Sequence, residues 1–192
     1  MTKVIERTFM SYPQFNCNIL KQSLIELFLN NEQIIIQAFT TDDIIGSVLR
    51  THLVCEQFLA IWIYASCNQT GFLESGQISF HNKLKMAENL ELPDYAVKIF
   101  NNINKIRNRI AHNIQQNEID RDILQSTHDV AQKAVLIHFP DVMENGIQLC
   151  DKNETPKYCL TLAESRKKPH QYLALILFLT IHRVAYSQCP DD

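Results

Sequence analysis

Apolar side chains recur at helical spacing along most of this 192-residue chain. From about Phe15 to Phe39 they return every three or four positions, which predicts one long helix. Thr40 and Thr41, followed by two aspartates, form an N-cap signal, because acidic side chains are favoured in the first turn of a helix. A second helix is expected from there to about Cys67. It is apolar nearly all round, so much of it should be buried.

The middle of the chain continues this helical pattern. A polar, glycine-containing stretch from Asn68 to Ser79 predicts a loop, and a short helix is expected to follow over residues 80–88. Pro93 is tolerated in the first turn of a helix, so a longer helix should begin there. A further amphipathic helix is predicted over residues 118–139, ending before Pro140.

The period changes from helical to alternating near the C-terminus. In "GIQLCDKNETPKYCLTLAE" apolar residues alternate around a polar turn, which predicts a β-hairpin. A last helix, from about Pro169 to Ser187, contains the ten-residue apolar run "YLALILFLTI", too short to span a bilayer and suited to a buried or subunit-facing position. The predicted fold is mainly α, with an N-terminal segment over 1–14, a helical bundle over 15–139, and a small C-terminal β-hairpin plus a final apolar helix over 140–192, packed on the bundle.

Composition narrows the function classes. A formal net charge of −3 gives no general basic field, so a nucleic-acid site would have to be local. The six cysteines form no C-x-x-C pair and no zinc spacing, and we interpret them as reduced thiols in a cytosolic core. The N-terminus has no apolar segment behind a basic start, so no signal peptide is predicted. We therefore expect a cytoplasmic protein that uses no metal or cofactor and does not enter a membrane.

One acidic residue stands out in the apolar second helix. An ionised Glu56 among apolar neighbours would be costly without a partner. His52, one turn earlier on the same face, is the nearest candidate, and Arg107 is another. Alternatively, Glu56 and Gln57 mark a thin exposed stripe. The sequence leaves these alternatives open.

The helix after Pro93 carries the most informative stretch, "INKIRNRIAHNI" at residues 103–114. At about 100° per residue, one narrow stripe of this helix is all isoleucine and forms the core side. That stripe consists of Ile99, Ile103, Ile106, Ile110 and Ile114. The opposite side gathers the cations, amides and imidazole Lys98, Asn101, Lys105, Asn108, Arg109 and His112. Arg107 lies at the edge of the core stripe.

This polar side has two interpretations. The first is a solvated helix surface, which any amphipathic helix shows. The second is a polyanion-binding face, because arginine holds phosphate through forked hydrogen bonds and histidine exchanges protons near neutral pH. Metal-free RNA cleavage needs a base for the ribose 2′-hydroxyl, an acid for the leaving oxygen and a cation for the phosphate. One histidine per chain supplies half of the acid–base pair, so this chemistry predicts a two-fold homodimer.

The stretch "RNRIAH", residues 107–112 on a helix of an all-α domain, resembles the signature of HEPN domains (higher eukaryotes and prokaryotes nucleotide-binding). That signature is an arginine, a polar residue and then a histidine. The run "KIRNRIAHN" is also similar to the mannitol-repressor family. The resemblance covers roughly residues 15–139 and implies an HEPN-like antiparallel helical bundle.

The HEPN resemblance implies that Arg107 and His112 are the catalytic pair and that Asn108 is their polar companion. The implied activity is metal-independent cleavage of RNA at a dimer interface, often by the toxin of a toxin–antitoxin pair or by a defence component. A cognate antitoxin or regulatory protein would then be a partner. Many HEPN-like proteins are non-catalytic, and the mannitol-repressor similarity implies a regulator that binds protein, nucleotide or nucleic acid.

Two arginines are candidate phosphate ligands. In a straight helix Arg107 and His112 point ~140° apart. They can share a site if the helix loosens near Ala111, if the arginine folds back, or if a partner chain supplies one of them. Arg109 points ~60° from His112 and is the alternative ligand. The other cations expected to bind RNA are Lys105 and Lys98.

The remaining basic and histidine residues are interpreted as structural or solvated. The stretch "SRKKPH", residues 165–170, could touch RNA phosphates, but a short basic turn is more often solvated. The other histidines are dispersed, with no carboxylate at metal spacing. Those considered are His128, His138, His170 and His182.

Overall fold

A computed structural model describes residues 14–73, 76–112, 118–150 and 155–190. Within those ranges the chain is mainly helical, with one small antiparallel sheet of two strands. The predicted mainly α class, with a C-terminal hairpin and a final helix, is confirmed. The helices are α1 (Cys17–Asn30), α2 (Glu32–Thr40), α3 (Ile44–Cys67), α4 (Phe80–Asn89), α5 (Asp94–His112), α6 (Arg121–Ala134), α7 (Pro140–Asn145), α8 (Leu162–Ser165) and α9 (Pro169–Gln188), and the strands are β1 (Ile147–Cys150) and β2 (Pro156–Leu160).

The prediction of one helix from Phe15 to Phe39 is wrong, because the chain breaks at Asn31 into α1 and α2. The side-chain amide of Asn31 donates to the carbonyl oxygen of Leu27 at 2.9 Å. Asparagine weakens a helix by offering the backbone such local side-chain hydrogen bonds. The apolar spacing continues across the break, so periodicity alone carried no sign of it.

Helix α3 forms the centre of the bundle, as its apolar composition predicted. It contacts α1, α2, α4, α5 and α9, and Trp62 and Phe58 on it are fully buried. The indole N–H of Trp62 donates to the carbonyl oxygen of Leu90 at 3.1 Å. Among the described residues, α3 is the one helix long and apolar enough to cross a membrane by those two measures, and half of its most apolar window is buried inside the fold.

The C-terminal helix α9 lies within the bundle, where it packs against α2, α3, α5 and α6. Its apolar run is buried inside the chain itself, which answers the choice between a buried and a subunit-facing position. Cys189, just after α9, forms a disulfide with Cys17 at the start of α1. The prediction of reduced thiols is therefore wrong for this pair, and disulfides are rare in cytosolic proteins. A cytoplasmic location stays a prediction.

The region after α5 differs in detail from the predicted single helix over 118–139. Helix α6 ends at Ala134, and a 3₁₀ turn, Leu136–His138, follows it. Pro140 then begins α7, in the first-turn position that proline tolerates. The hairpin follows as predicted, with Ile147 opposite Leu160, although residues 151–154 of its turn lie outside the described part.

The directions of α3 and α5 follow from two contacts between them. The rings of Phe58 and Phe100 lie 5.6 Å apart, and the side chains of His52 and Asn104 meet at 3.1 Å. As residue numbers rise along α3 they fall along α5, so the two helices are antiparallel. The C-terminal end of α5 therefore lies near the start of α3.

Two more helix ends lie at the same end of the bundle. Arg109 in the last turn of α5 pairs with Asp120, the N-cap residue of α6. Lys168, the N-cap residue of α9, pairs with Asp42 just before α3, with 2.7 Å between Nζ and Oδ1. The N-termini of α3, α6 and α9 thus surround the C-terminus of α5.

Candidate functional site

Helix α5 has the two sides that its sequence predicted. The described isoleucines of the core stripe, Ile99, Ile103, Ile106 and Ile110, are all buried, and Ile114 lies outside the described residues. On the polar side, the exposed residues are Lys98, Lys105, Arg109 and His112, and the half-buried ones are Asn101 and Asn108. Arg107, at the edge, is also half-buried.

The side chain of Arg107 is fixed by a hydrogen bond and has no acidic partner in the described part of the chain. Its Nη1 donates to the Oδ1 of Asn108 at 3.0 Å. Its Nε is buried and makes no hydrogen bond there. Burying part of a guanidinium without satisfying it is costly, and no carboxylate in the described part of the chain neutralises this charge.

Beside Arg107, α3 contributes a buried histidine. The His52 side chain is 8% exposed, its Nε2 donates to the Oδ1 of Asn104 at 3.1 Å, and its ring lies 4.5 Å from that of Phe80. With Oδ1 as the acceptor, the hydrogen is on Nε2. His52, Asn104, Arg107 and Asn108 together form what we call the α3–α5 polar cluster.

The surroundings of His52 in this cluster disfavour its charged form. Burial lowers the pKa of His52, and the positive charge of Arg107 lowers it further, while the hydrogen bond to Asn104 and the charge of Glu56 act in the opposite direction. A neutral imidazole avoids repulsion with the guanidinium. It therefore leaves Arg107 as the positive charge of the cluster.

Glu56 is half-buried and has an ionic partner that the sequence did not suggest. Lys83 of α4 donates to its Oε1 at 2.8 Å, and the two side chains are 30% and 18% exposed. Lys83 thus fills the role considered for His52 or Arg107. His52 is near enough for the carboxylate to affect its pKa, but the ion pair is with the lysine.

Arg109, the alternative phosphate ligand, is already paired. It is exposed and forms its ion pair with Asp120, which also accepts a hydrogen bond from the backbone N–H of Ile123 at 3.0 Å. An anion would have to compete with this carboxylate. Of the two arginines, Arg107 is therefore the one whose charge no carboxylate neutralises among the described residues.

His112 is exposed and is the last residue of α5. The helix is regular to its end, so the loosening considered near Ala111 does not occur in the structure. Helix geometry then separates Arg107 and His112 by about 140° and their Cα atoms by about 9 Å. No hydrogen bond or ion pair to His112 is found among the described residues, and residues 113–117, which follow it, lie outside them. One chain alone does not bring the predicted pair together.

The two lysines expected to bind RNA lie on the open side of α5. Lys98 and Lys105 are both exposed, and neither has an acidic partner within the described ranges. They add positive charge along the same helix as Arg107. Across residues 14–73, 76–112, 118–150 and 155–190, no group of three histidine, cysteine or acidic side chains is placed to hold a metal ion.

Sequence reasoning missed two members of the polar cluster, His52 and Asn104, as site residues. A histidine inside an otherwise apolar helix was the available signal, and it was noticed only as a neighbour of Glu56. Nothing in the sequence links His52 to Asn104, 52 positions away. That link requires the antiparallel packing of α3 on α5.

Comparison with protein-family models, with curated proteins and with solved structures finds no match to this chain. The fold defines a mainly helical protein with a small hairpin. Because helical bundles serve many functions, the functional argument rests on the site itself.

Proposed function

We propose that this protein is a metal-independent endoribonuclease of the HEPN type that acts as a homodimer. Arg107 binds the scissile phosphate, Asn108 fixes the site by hydrogen bonding, and His112 transfers protons. The observation that carries the proposal is the half-buried guanidinium of Arg107, which Asn108 holds in place and which has no acidic partner in the described part of the chain. A fixed cation whose charge no carboxylate neutralises suits the charge that grows on phosphate oxygens during cleavage.

The proposed reaction needs only proton transfers. His112 of one protomer accepts the proton of the ribose 2′-hydroxyl, and the 2′-oxygen forms a bond to phosphorus. The bond from phosphorus to the 5′-oxygen breaks, and the partner subunit's His112 donates a proton to that oxygen. The products are a 2′,3′-cyclic phosphate and a 5′-hydroxyl end.

The geometry of α5 supports the proposed dimer. Arg107 and His112 of one chain point about 140° apart along a regular helix, so they do not face one phosphate from the same side. A two-fold axis beside the polar side of α5 would place the histidine of each chain opposite the arginine of the other. Active protein is therefore expected to be a dimer in solution.

The first experiment is incubation of the purified protein with total cellular RNA and a tRNA pool in the presence of EDTA. We expect the parent protein to cleave RNA and His112→Ala to lose at least about 100-fold in rate, the scale of one general acid–base group. His138→Ala is the matched control, because His138 is another exposed histidine and should cleave like the parent. Undiminished cleavage by a folded, dimeric His112→Ala protein would refute the role of His112.

A second experiment tests the nucleophile. At a mapped cleavage site, one 2′-deoxy nucleotide should block cleavage, because the attacking oxygen is gone. Cleavage at the modified position would contradict the proposed reaction.

A growth assay tests the toxin role. Growth arrest on expression of the parent protein, and normal growth on expression of His112→Ala, would support a toxin with a cognate antitoxin as its partner.

One observation favours a second candidate, a non-catalytic regulator like the mannitol-repressor family. In the single chain, His112 is an isolated exposed side chain with no described partner. In that case the polar side of α5 binds a protein, a nucleotide or RNA without cutting it. An RNA that binds the protein, and loses affinity with Arg107→Ala while staying intact, would favour the regulator.

A further inference from the structure

A cavity lies at the N-terminus of α9, in the region of the basic turn over 165–170. Its volume is about 340 Å³, within the range of small-ligand pockets. The residues lining it are Tyr158, Cys159, Glu164, Lys167, Lys168 and Gln171. The cavity is separate from the polar cluster between α3 and α5, and no part of the ribonuclease proposal uses it.

The start of α9 offers unsatisfied backbone donors to this cavity. Lys168 is the N-cap residue, and its side chain makes no capping hydrogen bond. The backbone N–H of Tyr172 donates to the carbonyl oxygen of Lys168 at 3.1 Å, but those of His170 and Gln171 have no partner among the described residues. A helix of 20 residues also directs the positive end of its dipole to this point.

Gln171 supplies an independent sign of a ligand. The residue is only 2% exposed, yet its side chain has no hydrogen-bond partner in the described ranges. It lines the cavity, so the small exposed part of this residue opens into that space. An amide that lines a cavity and has no protein partner is free to bind a ligand, whose oxygen would accept from its N–H groups.

The charges around the cavity favour an anion. Lys167 and Lys168 both line it, and Lys168 is paired with Asp42 at its outer side. The one acid in the lining, Glu164, accepts hydrogen bonds from the backbone N–H and the hydroxyl of Thr161, at 3.1 and 2.7 Å. Its carboxylate is thus committed to the capping box of α8, and Lys167, an exposed residue of the lining, has no ion pair among the described residues.

We propose that this cavity binds a phosphate group, held by the backbone N–H groups of His170 and Gln171, the Gln171 amide and the Lys167 ammonium. Phosphate at a helix N-terminus beside lysine is a common arrangement in proteins. The phosphate could belong to a mononucleotide, whose size suits the cavity, or to an RNA strand, because this end of the bundle also holds the C-terminus of α5. The inference does not rest on ribonuclease activity.

Calorimetric titration of the full chain with three probes tests the site and identifies the source of the phosphate. The probes are inorganic phosphate, AMP and a 2′-O-methyl RNA oligonucleotide, which cannot undergo attack by the 2′-oxygen. We expect Lys167→Gln to weaken binding about tenfold, the scale of one charged hydrogen bond. Lys133→Gln, at an exposed lysine on α6, is the matched control and should bind like the parent.

The pattern across probes separates the two sources. If Lys167→Gln weakens the affinity for AMP most, the site binds a nucleotide. If it weakens the affinity for the oligonucleotide most, the site binds an RNA strand. Gln171→Leu should lose phosphate binding while its melting temperature stays near that of the parent protein. If this substitution of a buried residue unfolds the chain, the exposed variant Lys167→Gln still tests the site. His112→Ala should leave phosphate binding unchanged, so failure of the ribonuclease proposal would be seen separately. No binding of any probe, or equal binding by Lys167→Gln and Lys133→Gln, would overturn the site.

Discussion

Helices α5 and α9 are two long helices of the same bundle, and they pack against each other, but they present very different surfaces. From Leu173 to Leu177, α9 is apolar and buried at every position, so it has no polar side there. Helix α5 buries one stripe and leaves a row of cations and amides beside it. We expect this apolar part of α9 to contribute mainly to stability and, under the proposed function, the polar side of α5 to contribute to binding and chemistry. Substitutions in the apolar part of α9 should therefore mainly lower stability, and substitutions on the polar side of α5 should mainly lower RNA binding or cleavage.

The largest stability effect should come from α9. Leu177 is fully buried, so Leu177→Ala should reduce the free energy of unfolding by about 2–5 kcal/mol, measured by urea denaturation. Lys98→Ala on the polar side of α5 is the control and should change it by less than about 0.5 kcal/mol. A similar loss in both variants would break the division between the two helices.

The next effect concerns the two arginines of α5. Arg107→Ala should weaken RNA binding or cleavage by about 10- to 100-fold, because it removes the cation that has no acidic partner among the described residues. Arg109→Ala should change it by less than about threefold, since that guanidinium is engaged with Asp120. Affinity for an uncleavable oligonucleotide and kcat/KM for a cleavable one measure this. Equal losses would show that the ion pair of Arg109 does not decide which arginine binds phosphate.

A smaller effect is expected at the edge of the polar cluster. Lys83→Met leaves the half-buried Glu56 without its ion-pair partner and should cost about 1 kcal/mol in unfolding free energy. Lys85→Met, on the same helix, removes the more exposed pair with Glu88 and should cost less than about 0.5 kcal/mol. Thermal and urea unfolding of the two variants test the difference, and a reversed order would contradict it.

The smallest effect is a dependence of stability on pH. Burial lowers the pKa of His52, the charge of Arg107 lowers it further, and the charge of Glu56 raises it. Because the net pKa is lowered, the histidine is protonated in the unfolded chain before it is protonated in the folded chain as the pH falls. Stability from this group is complete above the unfolded pKa of about 6.5, falls as the pH drops below it, and levels off below the folded pKa. His170, also buried and facing Lys168, Asp42 and Asp43, has a lowered pKa and acts in the same direction.

Unfolding measured between pH 4 and pH 8 tests this dependence. His52→Gln should reduce the slope below pH 6.5, and His112→Gln, at an exposed position, should not. A slope that His52→Gln leaves unchanged would show that the charge state of His52 is the same in the folded and unfolded chain.

Local pattern predicted several helices well. The bounds of α3 and α9 and the start of α5 agree with the sequence to within about two residues, because capping residues, prolines and apolar spacing mark them. The break at Asn31 was not predicted, since the apolar spacing runs through it. Pro140 was expected to end a helix, and it begins α7.

The candidate site was predicted in part. The polar side of α5, with Asn108 and His112, and the position of Arg107 at the edge of the core stripe follow from helical periodicity. The distinction between Arg107 and Arg109 does not, because it depends on Asp120 arriving from another helix. His52 was visible as a polar residue in an apolar helix, but its contact with Asn104 needed the packing of α3 on α5.

The sequence by itself determined the mainly helical class, the hairpin and the two-sided character of α5, because these depend on propensity and spacing over short stretches of chain. Only the tertiary structure decided which charges are matched and which stay open. It paired Lys83 with Glu56, joined Cys17 to Cys189 across 172 positions, and left the Nε of Arg107 without a hydrogen bond among the described residues. The physical reason is that charge pairing and burial depend on distances between helices, and those distances are set by how the whole core packs.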